Sequence, residues 1–282
     1  MTTRHEIHLA DGRSLVAYDA GAPDGSDGLT VVWHHGSPHT GVLYEPLLSL
    51  AAGRGIRLVT YARPSYGGSR PDEGRSVASA AADVSALADA LGLERFAGMG
   101  ASGGGPHALA CASVLGDRVS ATVTFASPAP YTDAFDWFAG MAAPEALQAA
   151  RAGRAARARY AETEEFNEAV FTDADWAALR GAWAAVGQDA DRAGSDGPDG
   201  LIDDDVAFAK PWQVDVCAIS SPVLLVQGRV DRMIPASHAE SLLGQIPTAE
   251  LWLRQRDGHV SVLGAADVAF DWLVARGARE EN

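Results

Sequence analysis

Short, almost continuously apolar runs alternate with alanine-rich amphipathic stretches at both ends of the chain. The runs are Leu29 to Trp33, Ile56 to Tyr61, Arg95 to Met99, Ala121 to Phe125, Val223 to Val226 and Glu250 to Leu253. Runs of this length without polar alternation predict parallel strands buried on both faces, covered by the helices between them. Ahead of them, Ile7 and Leu9 are followed by Leu15, Val16 and Tyr18 across Asp11-Gly12. That dipeptide tolerates the positive φ of a tight turn, so the chain is expected to open with an antiparallel ribbon. A last helix is predicted over Ala265 to Ala275, carrying Val268, Phe270, Trp272 and Leu273 into the core.

The rhythm breaks between about Pro130 and Trp212. Strand patterns vanish there, and helices are predicted over Pro144 to Tyr160, Glu164 to Phe171 and Asp173 to Val186, closing in an Asp/Gly-rich loop up to Asp205. The expected organisation is one α/β core made of residues 1–130 and 213–282. A helical insertion, residues 131–212, would sit above the carboxyl edge of its mostly parallel sheet.

Composition narrows the function classes. At 282 residues, with 47% hydrophobic and 21% charged residues, the chain has ordinary globular composition and no apolar run that could cross a bilayer. A formal charge of −15 repels phosphate backbones and anionic lipid, so neither nucleic acid nor a membrane is an expected partner. Polar residues follow Met1 directly, without the apolar stretch of a secretory signal, which places the expected location in the cytoplasm. Lys210 is the single lysine beside many arginines and alanines, as in a chain from a GC-rich bacterial genome. Cys111 and Cys217 lie far apart in apolar segments and read as core fillers.

The chemistry concentrates at Gly100-Ala101-Ser102-Gly103-Gly104, where an apolar strand meets an alanine-rich helix. This is the G-x-S-x-G pattern of a nucleophile elbow, in which a strained turn holds the serine hydroxyl out into a pocket. The Gly103 amide at the helix N-terminus would then face developing negative charge. Gly98-x-Gly100-x-x-Gly103 also fits a dinucleotide fingerprint, but the next strand ends in Ser127-Pro128 without the acidic residue, and two strands and the ribbon precede this unit.

A serine needs a base to take its proton and a carboxylate to orient that base. His259, in Arg256-Asp257-Gly258-His259-Val260, follows the last strand and is the expected base. Asp231, a short turn beyond Val223 to Val226, is the expected acid, with Asp133 as runner-up and Asp257 reachable only by a local contact. A second oxyanion donor is expected from the Ser37 amide in His34-His35-Gly36-Ser37-Pro38. Adjacent histidines on an extended chain point to opposite faces, so His34, His35 and His39 are not read as a metal site. Asp189 opens a stretch resembling a calcium loop, but Gly200 stands where its closing glutamate should be, and no metal or cofactor is expected.

With these residues in hand, the chain resembles the α/β-hydrolase superfamily, specifically its bacterial esterase-like members that carry a helical cap. His35-Gly36-Ser37-Pro38 is similar to the family's HGxP oxyanion turn, and Arg63-Pro64-Ser65-Tyr66-Gly67-Gly68-Ser69 to its R-P-G-Y-G-x-S loop. Ser65 replaces the usual glycine, and Ala62 stands where many members carry aspartate. The resemblance implies an α/β-hydrolase fold, a cis peptide before Pro38 and an acyl-enzyme mechanism on a small ester-like substrate. Lactone opening, carbon–carbon cleavage and perhydrolysis stay open as reactions of the same triad, and a slow-turnover small-molecule receptor as a reading of another class.

Four tryptophans fall between residues 131 and 212, and Trp137 and Phe138 are the expected pocket contacts, giving an aromatic roof that favours an apolar group. Arg151, Arg154 and Arg157 recur at helical spacing and read as a solvated face paired with Glu162, Glu164 and Glu165.

Overall fold

The computed structural model of the protein describes residues 2–22 and 28–277. Met1, residues 23–27 and residues 278–282, all within the expected core ranges, lie outside the described residues. The strands are β1 (Thr3–His8), β2 (Ser14–Asp19), β3 (Thr30–His34), β4 (Arg57–Tyr61), β5 (Phe96–Ala101), β6 (Val119–Phe125), β7 (Val223–Gly228) and β8 (Ala249–Arg254). They form one sheet in the order β1-β2-β4-β3-β5-β6-β7-β8. β1 and β2 pair antiparallel with Ile7 opposite Leu15, and β2 runs antiparallel to β4. All the later pairings are parallel.

Helices α1 (Leu47–Ala52), α2 (Ser79–Ala90) and α3 (Gly104–Leu115) precede β6, and α9 (Ala236–Gln245) and α10 (Ala266–Gly277) follow β7. Between them come α4 (Glu145–Arg151), α5 (Arg154–Ala161), α6 (Asp173–Arg180), α7 (Ala184–Ser195) and α8 (Asp199–Ala209). The unbroken apolar strands have a direct cause in this layering. Val32 and Val59 share one cluster with Val84, Leu87, Leu109 and Leu242, while Val31, Trp33 and Leu58 share another with Leu47, Phe270 and Leu273. Successive side chains point to opposite faces, and both faces are covered.

On α10, Phe270 and Leu273 are fully buried but Val268 is 49% exposed. The buried stripe runs through Ala266, Ala269, Phe270 and Leu273, the helical i, i+3, i+4, i+7 series, and position 268 falls off it.

The helices between β6 and β7 depart from their expected boundaries for local reasons. The helix expected over 144–160 is two, because Gly153 adopts φ +105 between α4 and α5. The helix expected over 164–171 shrinks to one 3₁₀ turn, Glu168–Val170, capped by Asn167. The third is interrupted at Gly181. The stretch expected as an Asp/Gly-rich loop up to Asp205 is instead the end of α7 and most of α8, with Asp203, Asp204 and Asp205 all buried. Asp204 and Asp205 are here the partners of buried arginines, and Asp203 pairs with the more exposed Arg154.

Asp204 is the centre of that pairing. Its carboxylate, fully buried, lies 2.6 Å from the Arg63 guanidinium and 2.6 Å from that of Arg75. It also accepts hydrogen bonds from Tyr66 Oη at 2.9 Å and from Ser37 Oγ. Burial raises the carboxyl pKa, but the two guanidinium charges outweigh it and hold the group well below the usual carboxylate range. Removing one partner from such a cluster strands the others in a low-dielectric interior. Asp204→Asn is expected to destabilise the fold by about 3–5 kcal/mol, measured by urea or thermal unfolding. Because the folded-state pKa is depressed, the wild-type contribution is complete above the unfolded carboxyl pKa and is lost only as pH falls below it.

Candidate active site

Two glycines make the turn between β5 and α3 possible. A Cβ on Gly100 would sit 2.6 Å from the Gly104 carbonyl oxygen, and one on Gly104 would sit 2.0 Å from that of His34. With both absent, strand and helix approach closely enough to force Ser102 between them into the left-handed region, φ +51. The turn is tied down by Ser102 N donating to Phe125 O at 2.8 Å and Gly105 N to Ser102 O at 2.9 Å.

Three side chains from distant stretches meet over the carboxyl ends of β5, β7 and β8. His259 Nε2 lies 2.9 Å from Ser102 Oγ, and its Nδ1 lies 2.9 Å from Asp231 Oδ2. With a carboxylate at Nδ1, the proton sits there and Nε2 is free to accept from the serine. The acid is itself fixed, because its Oδ1 accepts from the amides of Met233 at 2.8 Å and Ile234 at 2.9 Å. The other expected acids are elsewhere: Asp133 is exposed, and Asp257 pairs with Arg254.

Burial pushes the imidazolium of His259 down, but the charge and hydrogen bond of Asp231, with the charge of Asp175 beyond it, raise its pKa above the ordinary histidine value of 6.5. The other histidines near the sheet edge behave differently. Burial, with Arg63 nearby, lowers His34 to about 3, and burial lowers His39 to about 4 against the pull of Asp189. His35 accepts from the Arg63 amide at Nε2 and turns Nδ1 to the Gly36 carbonyl, which fixes a neutral tautomer. Among the described residues no group of three or more His, Cys, Asp or Glu is placed to hold a metal ion. Asp189, the first residue of the calcium-like stretch, instead accepts two hydrogen bonds from Thr40.

Ser37 and Gly103 stand side by side: a Cβ added to Gly103 would lie 2.2 Å from Ser37 Oγ. The Ser37–Pro38 peptide is cis. Arg63 braces this turn by donating to His35 O, to Gly36 O at 3.1 Å and to Ser37 Oγ at 2.9 Å. Ser65, which stands where the resembled loop pattern has glycine, adopts a left-handed φ of +72, a region that glycine enters more readily than serine.

A cavity of about 480 Å³ opens beside Ser102 and Gly103, walled by Trp137, Phe208, Met233 and Ile234. Trp137 therefore faces the site, whereas Phe138 packs edge-on behind it at 5.1 Å and is not part of the wall. Trp137 is held from the other side, its Nε1 donating to Ala129 O at 2.9 Å and its carbonyl meeting His238 Nε2 at 2.9 Å. Arg157, read from the sequence as solvated, is 1% exposed in the cavity wall and pairs with Asp205 at 2.6 Å and Glu164 at 2.8 Å. Burial raises Asp205 to about 7 despite that arginine. Asp204, Asp205 and Asp175, to which Val260 N donates at 2.8 Å, were invisible as site residues. Only Thr172-x-x-Asp175, a capping-box spacing, carried any signal for one of them.

The chain belongs to the alpha/beta hydrolase fold family, whose model matches residues 30–266. It is similar to an esterase from Thermogutta terrifontis, with 22% identity and a TM-score of 0.70 over 96% of this chain and 98% of that one. A hydrolase from Pseudomonas aeruginosa superposes with a TM-score of 0.74 and 20% identity over 98% of each chain. A non-heme chloroperoxidase from Streptomyces lividans is 32% identical over 126 residues, which span 44% of this chain and 45% of that protein. At these identities the two structures establish the fold. No helix among the described residues is long and apolar enough to cross a membrane.

Any reaction that uses His259 as a base needs its neutral form. Reactivity of Ser102 toward a fluorophosphonate is therefore expected to rise with pH along a limb centred above 6.5, because the folded-state pKa lies above that value. Labelling rates measured from pH 5 to pH 9 check this, and a limb centred below 6.5 contradicts it.

Proposed function

We propose that the protein is a serine hydrolase that cleaves carboxylic esters, or closely related acyl bonds, of small and largely apolar substrates through an acyl-enzyme. The observation that carries this reading is the unbroken chain from Ser102 Oγ through the His259 ring to Asp231, with 2.9 Å at each link. Ser102 attacks the acyl carbon while His259 takes its proton; Asp231 holds the ring in the reactive tautomer and stabilises the imidazolium. The amides of Gly103 and Ser37 serve the oxyanion, and His259 returns its proton to the leaving alcohol. Water, activated by the same histidine, then releases the acid. Such a sequence requires no cofactor.

The cavity supports an uncharged substrate. Among the described residues the acidic positions of its wall are Glu145, Glu164, Glu165 and Asp205 and the basic one is Arg157, which is already paired twice. A carboxylate brought in by the substrate would meet like charge and find no unpaired cation among the described wall residues. This weighs against carbon–carbon cleavage of acidic diketones.

Ser102→Ala is expected to abolish fluorophosphonate labelling and to lower kcat on p-nitrophenyl esters by about 10⁶-fold. Equal labelling of both proteins would reject the assignment. Among esters of matched length, one carrying a terminal carboxylate is expected to fall about tenfold or more in kcat/KM below its neutral counterpart. Comparable values would reject the neutral-substrate reading.

The likeness to a chloroperoxidase favours one second reading, in which hydrogen peroxide replaces water in freeing the acyl group. Peracid formation from an ester and peroxide, lost in Ser102→Ala, distinguishes it.

A further inference from the structure

We infer that Asp175, on α6 of the inserted segment, is a positioning residue for His259 and holds the histidine loop by its backbone from above. The inference rests on the serine-hydrolase reading of Ser102, His259 and Asp231.

The Asp175 side chain is fully buried, and one carboxylate takes five hydrogen bonds. Oδ2 serves its own helix, accepting from Thr172 N at 2.9 Å and Thr172 Oγ1 at 2.8 Å. That half is an ordinary capping box and accounts for an acidic residue at this position. Oδ1 does something a helix cap has no need of. It reaches across to the core and accepts from Val260 N at 2.8 Å, Ser261 N at 2.7 Å and Ser261 Oγ at 2.8 Å.

Gly258 completes the seat on the other side of the histidine. A Cβ there would lie 2.0 Å from Asp175 Oδ2, so the carboxylate packs directly on the backbone of residue 258. Residues 258, 260 and 261 are all in its grip, and the residue enclosed by them is His259. From below, Gly228 at the end of β7 lets the same loop come close, since a Cβ on it would lie 2.4 Å from the carbonyl oxygens of Asp257 and Gly258. The base is thus clamped between the sheet and the inserted segment, and Asp231 is left to orient only the ring.

The carboxylate also acts through its charge. Four groups bear on the imidazole: Asp231 from the turn after β7, Ser102 from the elbow, His39 from the loop after β3, and Asp175 from α6. His39 is held neutral by burial, so the field at His259 comes from two carboxylates. Neutralising Asp175 lowers the stability of the imidazolium and shifts its titration downward.

Asp175→Asn and Asp175→Glu test this on the full chain, with thermal melts to confirm folding. In Asp175→Asn the acidic limb of kcat/KM for a p-nitrophenyl ester moves to lower pH, and kcat falls by up to about 10²-fold with KM little changed. In Asp175→Glu, which keeps the charge but displaces it by one methylene, kcat falls while the limb stays in place. A limb at the wild-type pH in a folded Asp175→Asn protein, or wild-type kcat in Asp175→Glu, overturns the inference and leaves Asp175 as a helix cap. If the wild type neither hydrolyses esters nor labels at Ser102, the function reading fails instead. NMR titration of the His259 ring in wild type and Asp175→Asn then still decides the positioning role: a downward shift supports it, and an unmoved ring overturns it.

Discussion

One buried carboxylate, Asp204, couples the two parts of the molecule that must be in register for the site to exist. It comes from α8 in the inserted segment, yet its side-chain partners among the described residues belong to the core: Arg63, Arg75, Tyr66 and Ser37. Two buried guanidinium groups around a single anion leave a residual positive charge, which Arg63 spends on the carbonyls of His35 and Gly36. The turn that faces Gly103 is thereby held by charge-assisted hydrogen bonds to its backbone, which are about twice as strong as neutral ones. The inserted helices are accordingly structural partners of the core. Phe208 of α8 belongs to one face cluster of the sheet, and Trp183 and Val186, at the start of α7, belong to the other.

The same residue type serves opposite ends in this small volume because burial and partners differ. His34, His35, His39 and His107 are enclosed with Arg63 nearby, and all four are held below the ordinary histidine value. They work as neutral polar fillers. His259 is equally enclosed but faces carboxylates, which reverses the direction. Asp205 and Asp204, adjacent in sequence, divide in the same way: two arginines depress one, while one arginine fails to offset the burial of the other.

The cavity inherits its character from these arrangements. Trp137 forms a wall because Ala129 fixes its ring and His238 its carbonyl, and Phe138 supports it from behind without reaching the cavity. Arg157 closes another side, its charge consumed by Asp205 and Glu164. Its described wall thus joins apolar side chains, Trp137, Phe208, Met233 and Ile234, to an arginine whose charge is already met by two carboxylates.

The strands, the elbow and the order serine, acid, histidine were legible because each has a local cause. Unbroken apolar runs follow from burial on both faces, and the glycines of the elbow from collisions that a Cβ would make with neighbouring backbone. The positions of Ser102, Asp231 and His259 at strand ends follow from the sheet itself, which delivers every loop after a parallel strand to one edge. The inserted segment resisted the same reading. Its helices break at Gly153 and Gly181, its acidic stretch is helix, and Arg157 is buried. Whether a charged residue faces water or an opposite charge depends on what the rest of the chain places against it, and partners 141 residues apart, such as Arg63 and Asp204, leave no mark in local periodicity. Sequence alone determined the strands, the turn chemistry and which serine, histidine and aspartate meet over the sheet edge. Only the tertiary structure decided which carboxylates hold them, because a buried ion pair is a property of two distant positions at once.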